Sequence, residues 1–338
     1  MQLRRMLFAL ATYLFVIAGC SSAAPTTAAP AQTAPALTVV TTVSPITNIA
    51  FNIGGDRIAL TGIVPEGVNS HTFEPAPSDA RLLAAADLII VNGLKLELPT
   101  LALAEANKQP DAEIVLLGEQ TITPDEYLYD FSFPQEGGSP NPHLWTNPLL
   151  ALRYAEIMRD HFSQRDPAGA GYYAANYAAF KGRIEALDTA IQASIDSIPA
   201  ADRKLLTYHD SWAYFAPRYG LTVIGAIQPS DFAEPSAREV AGIIEQIRAE
   251  QVPAVFGSEV FASPVLEQIA KEGGAAYVDD LRDDDLPGAP GDASHSYIGL
   301  MVENVRIMAE NLGGDPTLIA SVKTANLNAG ESAVQQAP

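Results

Sequence analysis

The stretch "GYYAANYAAFKGRIEALDTAIQASIDS", Gly171 to Ser197, carries apolar residues spaced by three or four positions. The stripe consists of Tyr173, Tyr177, Phe180, Ile184, Leu187, Ile191, Ile195 and Ile198. This period is typical of one amphipathic helix, which at about 1.5 Å per residue would be roughly 40 Å long. Pro167 and Pro199 punctuate its ends. A helix of this length can cross two lobes; a coiled-coil partner is the alternative, although the polar pattern beside the stripe is weak for that.

On both sides of this helix, short runs rich in β-branched residues alternate with amphipathic stretches. The predicted strands are Leu37–Val43, Arg57–Val64, Asp87–Val91, Glu113–Leu117, Lys204–Tyr208, Thr222–Ala226, Ala254–Phe256 and Ala275–Val278. Such alternation is typical of α/β proteins with parallel sheets. We therefore predict an α/β fold of two parallel-sheet (βα)4-like lobes, joined by one long rigid helix and separated by a cleft.

The amino terminus, "MQLRRMLFALATYLFVIAGCSS", has the features of an export signal. Two arginines precede an apolar run that is too short for a comfortable membrane span. The ending Ile17-Ala18-Gly19-Cys20 resembles a bacterial lipobox, so we expect Cys20 to be lipidated and to anchor an extracytoplasmic protein to the membrane. Since Cys20 is the only cysteine, the folded part has no internal disulfide and no thiol metal site.

The boundaries of the domains and linkers are predicted from changes in composition along the chain. We predict a signal peptide (1–19), a Ser/Ala/Pro/Thr-rich flexible tether (20–36), a first lobe (37–165), a linking helix (166–199), a second lobe (200–320) and a frayed tail (321–338). The chain has 20 basic and 40 acidic residues and a formal net charge of −20. This charge excludes nucleic-acid binding through phosphates and favours weak attraction of cations.

Three of the five histidines follow predicted strands. They are His71 in "VNSHTFEP", His143 in "SPNPHLWTNP" and His209 in "LLTYHDSW", and Asp279 ends the last strand in "AAYVDDL". In open α/β sheets this edge binds ligands. Imidazoles with one carboxylate suit zinc and other first-row metals, and affinity should fall as pH drops because the ligands must be deprotonated. Composition alone does not separate Asp279 from Asp280.

The other two histidines have simpler interpretations. His161 shares a helical face with Leu150, Tyr154 and Ile157, which favours a packing or helix-end role. His295 lies at the start of a predicted helix, as loop or rim.

Four other acidic residues have interpretations that involve no metal. Asp283, Asp284 and Asp285 are expected on a solvated face. Glu74 is ambiguous, because "EPAPSDA" is also typical of a turn followed by a helix cap at Ser78.

Several long segments resemble one family, the metal-binding receptors of zinc and manganese ABC transporters, cluster A-I (ZnuA/TroA-like). The segments are "NSHTFEPAPSDARLLAAADLIIVNGLKLE", "NPHLWTNPLLALRYAEIMRDHF", "YHDSWAYFAPRYGLTVIGAI", "EPSAREVAGIIEQIRAEQVPAVFGSEVFASPVLEQIAKEGGA" and "YVDDL". They occur in the family's order and cover most of the chain from Leu37 to about Gly313.

The resemblance implies two lobes, one buried metal ion in the cleft between them and no catalysis. By motif position the ligands would be His71, His143, His209 and Asp279, because Asp279 holds the family's aspartate place after "YV". The metal would pass as cargo to a membrane permease driven by a cytoplasmic ATPase, and we expect the receptor to be a monomer.

A third histidine favours Zn(II), since relatives selective for manganese often have glutamate at the position of His209. Zinc-type relatives often carry a His-rich loop before the second histidine. Here that segment, "EQTITPDEYLYDFSFPQEGGSP", contains no histidine, so Mn(II) remains the alternative.

Two further functions compete with uptake. An exported metallohydrolase would need an open metal position and a base such as Glu234 or Glu259, but no H-E-x-x-H motif occurs. His209, Asp210 and Ser211 cannot form a catalytic triad because they are consecutive. A surface adhesin with the same fold is the other alternative.

Overall fold

The computed structural model describes residues 35–228, 233–260, 264–279 and 281–328, and the backbone of Val334–Gln336. The predicted signal peptide, the lipidation site Cys20 and most of the predicted tether lie outside the described residues, as does Asp280. Within the described residues, no helix combines the length and the apolarity that crossing a membrane requires.

The first lobe is built on a parallel sheet. Its strands are β1 (Leu37–Thr41), β2 (Ile58–Gly62), β3 (Leu88–Val91) and β4 (Glu113–Leu116). The helices of this lobe are α1 (Ser44–Gly54), α2 (Asp79–Ala85), α3 (Leu98–Asn107), α4 (Leu117–Thr121) and α5 (Pro148–Arg165). All four residues of β3, "LIIV", are buried, because helices cover both faces of a parallel sheet.

The linking helix α6 spans Ala170–Asp196. The predicted apolar stripe is its buried face, and Phe180, Ile184, Leu187 and Ile191 have no exposed surface. These residues belong to one continuous core that includes Val39 of the first sheet and Leu205 of the second. The helix therefore holds both lobes through a shared hydrophobic core.

The second lobe repeats the parallel architecture. Its strands are β5 (Lys204–Thr207), β6 (Thr222–Ala226), β7 (Ala254–Phe256) and β8 (Ala276–Val278), in the order β6-β5-β7-β8. The helices are α7 (Ala216–Tyr219), α8 (Ala237–Glu250), α9 (Pro264–Gly273) and α10 (Tyr297–Asn311). The predicted fold of two parallel-sheet lobes is confirmed, and most observed strands are shorter than predicted at one or both ends.

The carboxyl-terminal segment differs from the expected frayed tail over its described part. Asn52 of α1 donates a hydrogen bond to Asn326 Oδ1 (2.9 Å) and accepts one from the Leu327 amide (2.8 Å). Further along, β9 (Val334–Gln336) pairs in parallel with β2, which gives the first sheet the order β4-β3-β1-β2-β9. The packing of this segment could not be predicted from its polar composition, because the groups that its amides bind lie far away in sequence, in the first lobe.

Candidate metal centre

Three histidine side chains from distant parts of the chain meet in the structure. The Nε2 atoms of His71 and His143 lie 3.1 Å apart, those of His71 and His209 3.1 Å apart, and those of His143 and His209 3.4 Å apart. His71 lies in the loop after β2, His143 in the loop before α5, and His209 two residues after the end of β5. The first two belong to the first lobe and the third to the second lobe.

These separations match those of ligands around one small cation. Zinc binds imidazole nitrogen at about 2.0–2.1 Å, so nitrogens at the corners of a tetrahedral site lie about 3.3–3.4 Å apart. Only this trio satisfies the geometry of a metal-ligating group among the His, Cys, Asp and Glu side chains of the described residues. The three side chains are therefore close to the arrangement that a bound ion requires.

The orientation of His143 is fixed by an asparagine. Asn141 Oδ1 accepts hydrogen bonds from the His143 amide (3.0 Å) and from its ring atom Nδ1 (2.8 Å). An amide oxygen only accepts, so the proton is on Nδ1 and the lone pair of Nε2 faces the other histidines. The Asn141 side-chain nitrogen donates to Asp130 Oδ2 and to the carbonyl of Asp210, both at 2.7 Å. This network ties the second histidine to both lobes.

Local structure also holds the loops of these histidines. Asn147 caps α5 by accepting from the Leu149 amide, and Pro148 opens that helix, which ends the loop that carries His143. The His71 amide donates to Asn69 Oδ1 at 2.9 Å. Thr207 Oγ1 donates to the His209 carbonyl at 2.7 Å.

The cluster lies in a largely apolar setting. The Phe133 ring centroid is 5.4–5.7 Å from all three imidazoles, and that of Trp145 is 5.0 Å from His143. Burial, with a smaller effect from His209, holds the pKa of His71 well below its usual range. Burial, followed by the effects of the two other histidines, also lowers the pKa of His143 well below its usual range. Neutral imidazoles are the form that binds metal.

Burial also lowers the pKa of His209, against the opposing effects of the Asp283 carboxylate and a hydrogen bond with Gln228. The Asp283 carboxylate is therefore near enough to His209 to raise the pKa of its imidazole.

The structure does not bring Asp279 to the histidines. It follows β8, and its side chain is exposed. A different aspartate approaches the cluster: Asp283 is buried, and its Oδ2 lies 3.8 Å from His143 Nε2. The side chain of Ser211 donates to the same carboxylate oxygen, and Trp145 Nε1 donates to the Asp283 carbonyl at 2.8 Å.

The interpretation of Asp283, Asp284 and Asp285 as a solvated face is wrong. Their exposed fractions are only 7%, 5% and 8%. Their backbone amides donate to Glu259 Oε1, and the carboxylates of Asp284 and Asp285 accept hydrogen bonds from the first lobe. Burial is the main cause that raises the pKa of Asp285 to about 6 and that of Asp284 well above its usual range. The only sequence signal was that the acidic run follows the carboxyl end of a strand.

The other two histidines lie outside the cluster. His161 Nδ1 is 3.2 Å from Glu113 Oε1 on the first lobe. His295, just before α10, has its Nε2 3.6 Å from Glu66 Oε1. Glu74 is exposed, and Ser78 stands at the N-cap of α2 without a capping hydrogen bond from its side chain.

Known proteins resemble this chain over most of its length. The family model described as zinc-uptake complex component A, periplasmic (ZnuA), matches residues 39–311. The iron-binding protein YfeA of Yersinia pestis is 32% identical over 275 residues, which are 81% of this chain and 86% of that protein. The manganese-binding lipoprotein MntA of Halalkalibacterium halodurans is 28% identical over 276 residues, covering 82% and 88%.

Solved structures share the fold. The periplasmic zinc-binding protein TroA of Treponema pallidum superposes with a TM-score of 0.74 at 24% identity, over 82% of this chain and 99% of that one. A crystal structure of ZnuA gives a TM-score of 0.69 at 26% identity, over 82% and 98%.

Proposed function

The chain belongs to the ZnuA family of metal-binding, substrate-binding proteins of ABC transporters, and on this premise we propose that it is an extracytoplasmic receptor that delivers Zn(II) to a membrane permease. Members of this family are transport proteins rather than enzymes, so the metallohydrolase alternative does not hold. The metal ion is the cargo, and the receptor holds it until it passes to the permease, which an ATPase drives.

The convergence of the three Nε2 atoms at 3.1–3.4 Å supports this function most directly. Since the histidines come from both lobes, one ion would join the lobes and close the cleft. Three imidazoles favour zinc over manganese, which prefers oxygen ligands. Manganese(II) or iron(II) is the alternative cargo, because MntA is named as manganese-binding and YfeA as iron-binding.

We propose His71, His143 and His209 as three of the four ligands. The sequence points to Asp279 as the fourth, but the placement of the side chains favours Asp283. Its carboxylate is buried and has Oδ2 3.8 Å from His143 Nε2, whereas the side chain of Asp279 is exposed. To complete a tetrahedral site, the Asp283 carboxylate would move closer to the other histidines when the ion binds.

Anchoring by a lipid on Cys20 is part of the same proposal, because several relatives are named lipoproteins. A Cys20→Ser chain should be exported but should fail to incorporate a radiolabelled fatty acid and should leave the membrane fraction. Equal labelling of both chains would contradict this anchor.

The test of the cargo is competitive titration of the unlipidated Cys20→Ser protein with Zn(II), Mn(II) and Fe(II) at neutral pH. We expect one site that binds zinc much more tightly than the other two ions. Tighter binding of manganese or iron would change the cargo, and the absence of a tight site for any of the three would refute the receptor function.

A further inference from the structure

Glu259 makes an unusual set of contacts in the loop after β7. Its Oε1 accepts hydrogen bonds from the consecutive backbone amides of Asp283 (3.0 Å), Asp284 (3.1 Å) and Asp285 (3.1 Å). Its Oε2 accepts from Ser258 Oγ at 3.1 Å. Successive amides that converge on one oxygen form an anion-binding nest. One side chain therefore fixes the backbone of the whole turn 283–285.

The three side chains of this turn diverge toward the metal centre and the first lobe. Asp283 points to His143. Asp284 Oδ2 accepts from the Ser70 amide (3.2 Å), and Asp285 Oδ2 accepts from the Gly67 amide (2.7 Å). Gly67 and Ser70 lie in the loop that leads directly to His71. The turn therefore contacts both the cluster and the segment that carries its first histidine.

We propose that Glu259 is a positioning residue for the metal centre: it holds the turn 283–285 so that Asp283 reaches the ion and Asp284 and Asp285 hold the loop before His71. This role rests on the proposed metal-receptor function. It depends on the length of the side chain and on its acceptor oxygen, because the hydrogen bonds run to neutral amides. Outer partners, which are residues that hold a metal ligand in place without touching the ion, typically contribute 10–100-fold to metal affinity.

Three substitutions of Glu259 separate the effect of its side-chain length from the effect of its charge. Glu259→Gln keeps the oxygen at the same reach without the charge, and we expect zinc affinity within about threefold of the parent. Glu259→Asp keeps the charge but shortens the side chain, and Glu259→Ala removes the acceptor; both should bind zinc about 10–100-fold more weakly. Affinity is measured by competition with a chromophoric chelator on the full exported chain carrying Cys20→Ser.

Cobalt(II) provides a readout that a loss of stability would not change. Its visible absorption reports coordination geometry, and we expect the Asp and Ala variants to lose the intense bands of a four-coordinate site while Glu259→Gln retains them. Asp188→Ala is the matched control, since Asp188 on the linking helix pairs with Arg218 at 2.6 Å and accepts from Tyr219 Oη, and neither partner belongs to the cluster or to the turn 283–285. It should lower the melting temperature without changing zinc affinity or the cobalt spectrum.

The outcomes are separable. If Glu259→Asp binds zinc as tightly as the parent, or if Glu259→Gln binds as weakly as Glu259→Asp, the positioning role is wrong. A loss of affinity in Asp188→Ala equal to that in Glu259→Ala would also overturn it. If the parent itself binds no metal, the receptor function fails instead.

Discussion

The Nε2 atoms of His71 and His209 lie 3.1 Å apart, although His71 extends from the first lobe and His209 from the second. A cation between them would bind both nitrogens and so join the two lobes. The same ion would therefore stabilise the contact between the lobes, and binding should be linked to stability.

His71→Ala should weaken zinc binding by more than the 10–100-fold that is typical of outer partners, because it removes a ligand of the ion itself. The melting temperature without metal should stay close to that of the parent, since the His71 side chain is only half-buried. Calorimetric titration and thermal unfolding measure the two effects. Unchanged affinity would remove His71 from the ligand set.

The fourth ligand is identified by a pair of substitutions. Asp283→Ala should weaken zinc binding strongly, because its carboxylate oxygen is 3.8 Å from His143 Nε2. Asp279→Ala should leave affinity nearly unchanged, because that side chain is exposed. Chelator competition on both variants decides between them. The reverse pattern would restore Asp279 to the site and would require its side chain to move to the histidines on binding.

Metal affinity should be nearly independent of pH between about 8 and 6.5 as far as the histidines are concerned. Burial holds the pKa values of His71, His143 and His209 below the usual 6.5, so the neutral form of each predominates throughout this range. Protons compete with the metal only at lower pH, where affinity should fall. Zinc titrations across this range measure the dependence, and a steep fall beginning near pH 7.5 would contradict it.

Asp210→Asn should stabilise the protein increasingly as pH rises. Burial, then repulsion from Asp130, raises the pKa of Asp210 to about 8. Because this folded-state pKa is above the unfolded value, the unfolded chain ionises first, and the parent loses stability as pH rises from about 4 to 8. Asparagine does not titrate and can donate to Asp130. Denaturant unfolding at pH 5 and pH 8 should show a larger advantage at pH 8; an equal difference at both would refute the shift.

Much of the architecture follows from local patterns. Strand positions and the stripe on α6 are encoded by the spacing of apolar residues, and the burial of Phe180, Ile184 and Leu187 follows that spacing. Strand-end placement also selected His71, His143 and His209, because the carboxyl ends of parallel strands share one edge of a sheet.

The acidic turn shows what local patterns leave open. The sequence leaves Asp279 and Asp280 undistinguished and predicts a solvated face for Asp283, although all three belong to the run of acids that follows the predicted strand Ala275–Val278. The path of that run depends on Glu259, Gly67 and Ser70, which lie 24 to 218 positions away from the acids they bind. Similarly, the polar tail is held by Asn52, 275 positions from Leu327.

The sequence by itself determined the two parallel-sheet lobes, the helix between them and the three histidines, because periodicity and strand ends are properties of neighbouring residues. The tertiary structure decided which carboxylate faces the histidines and how the acidic turn is held. These depend on hydrogen bonds between distant segments, whose geometry exists only after the lobes have packed around α6.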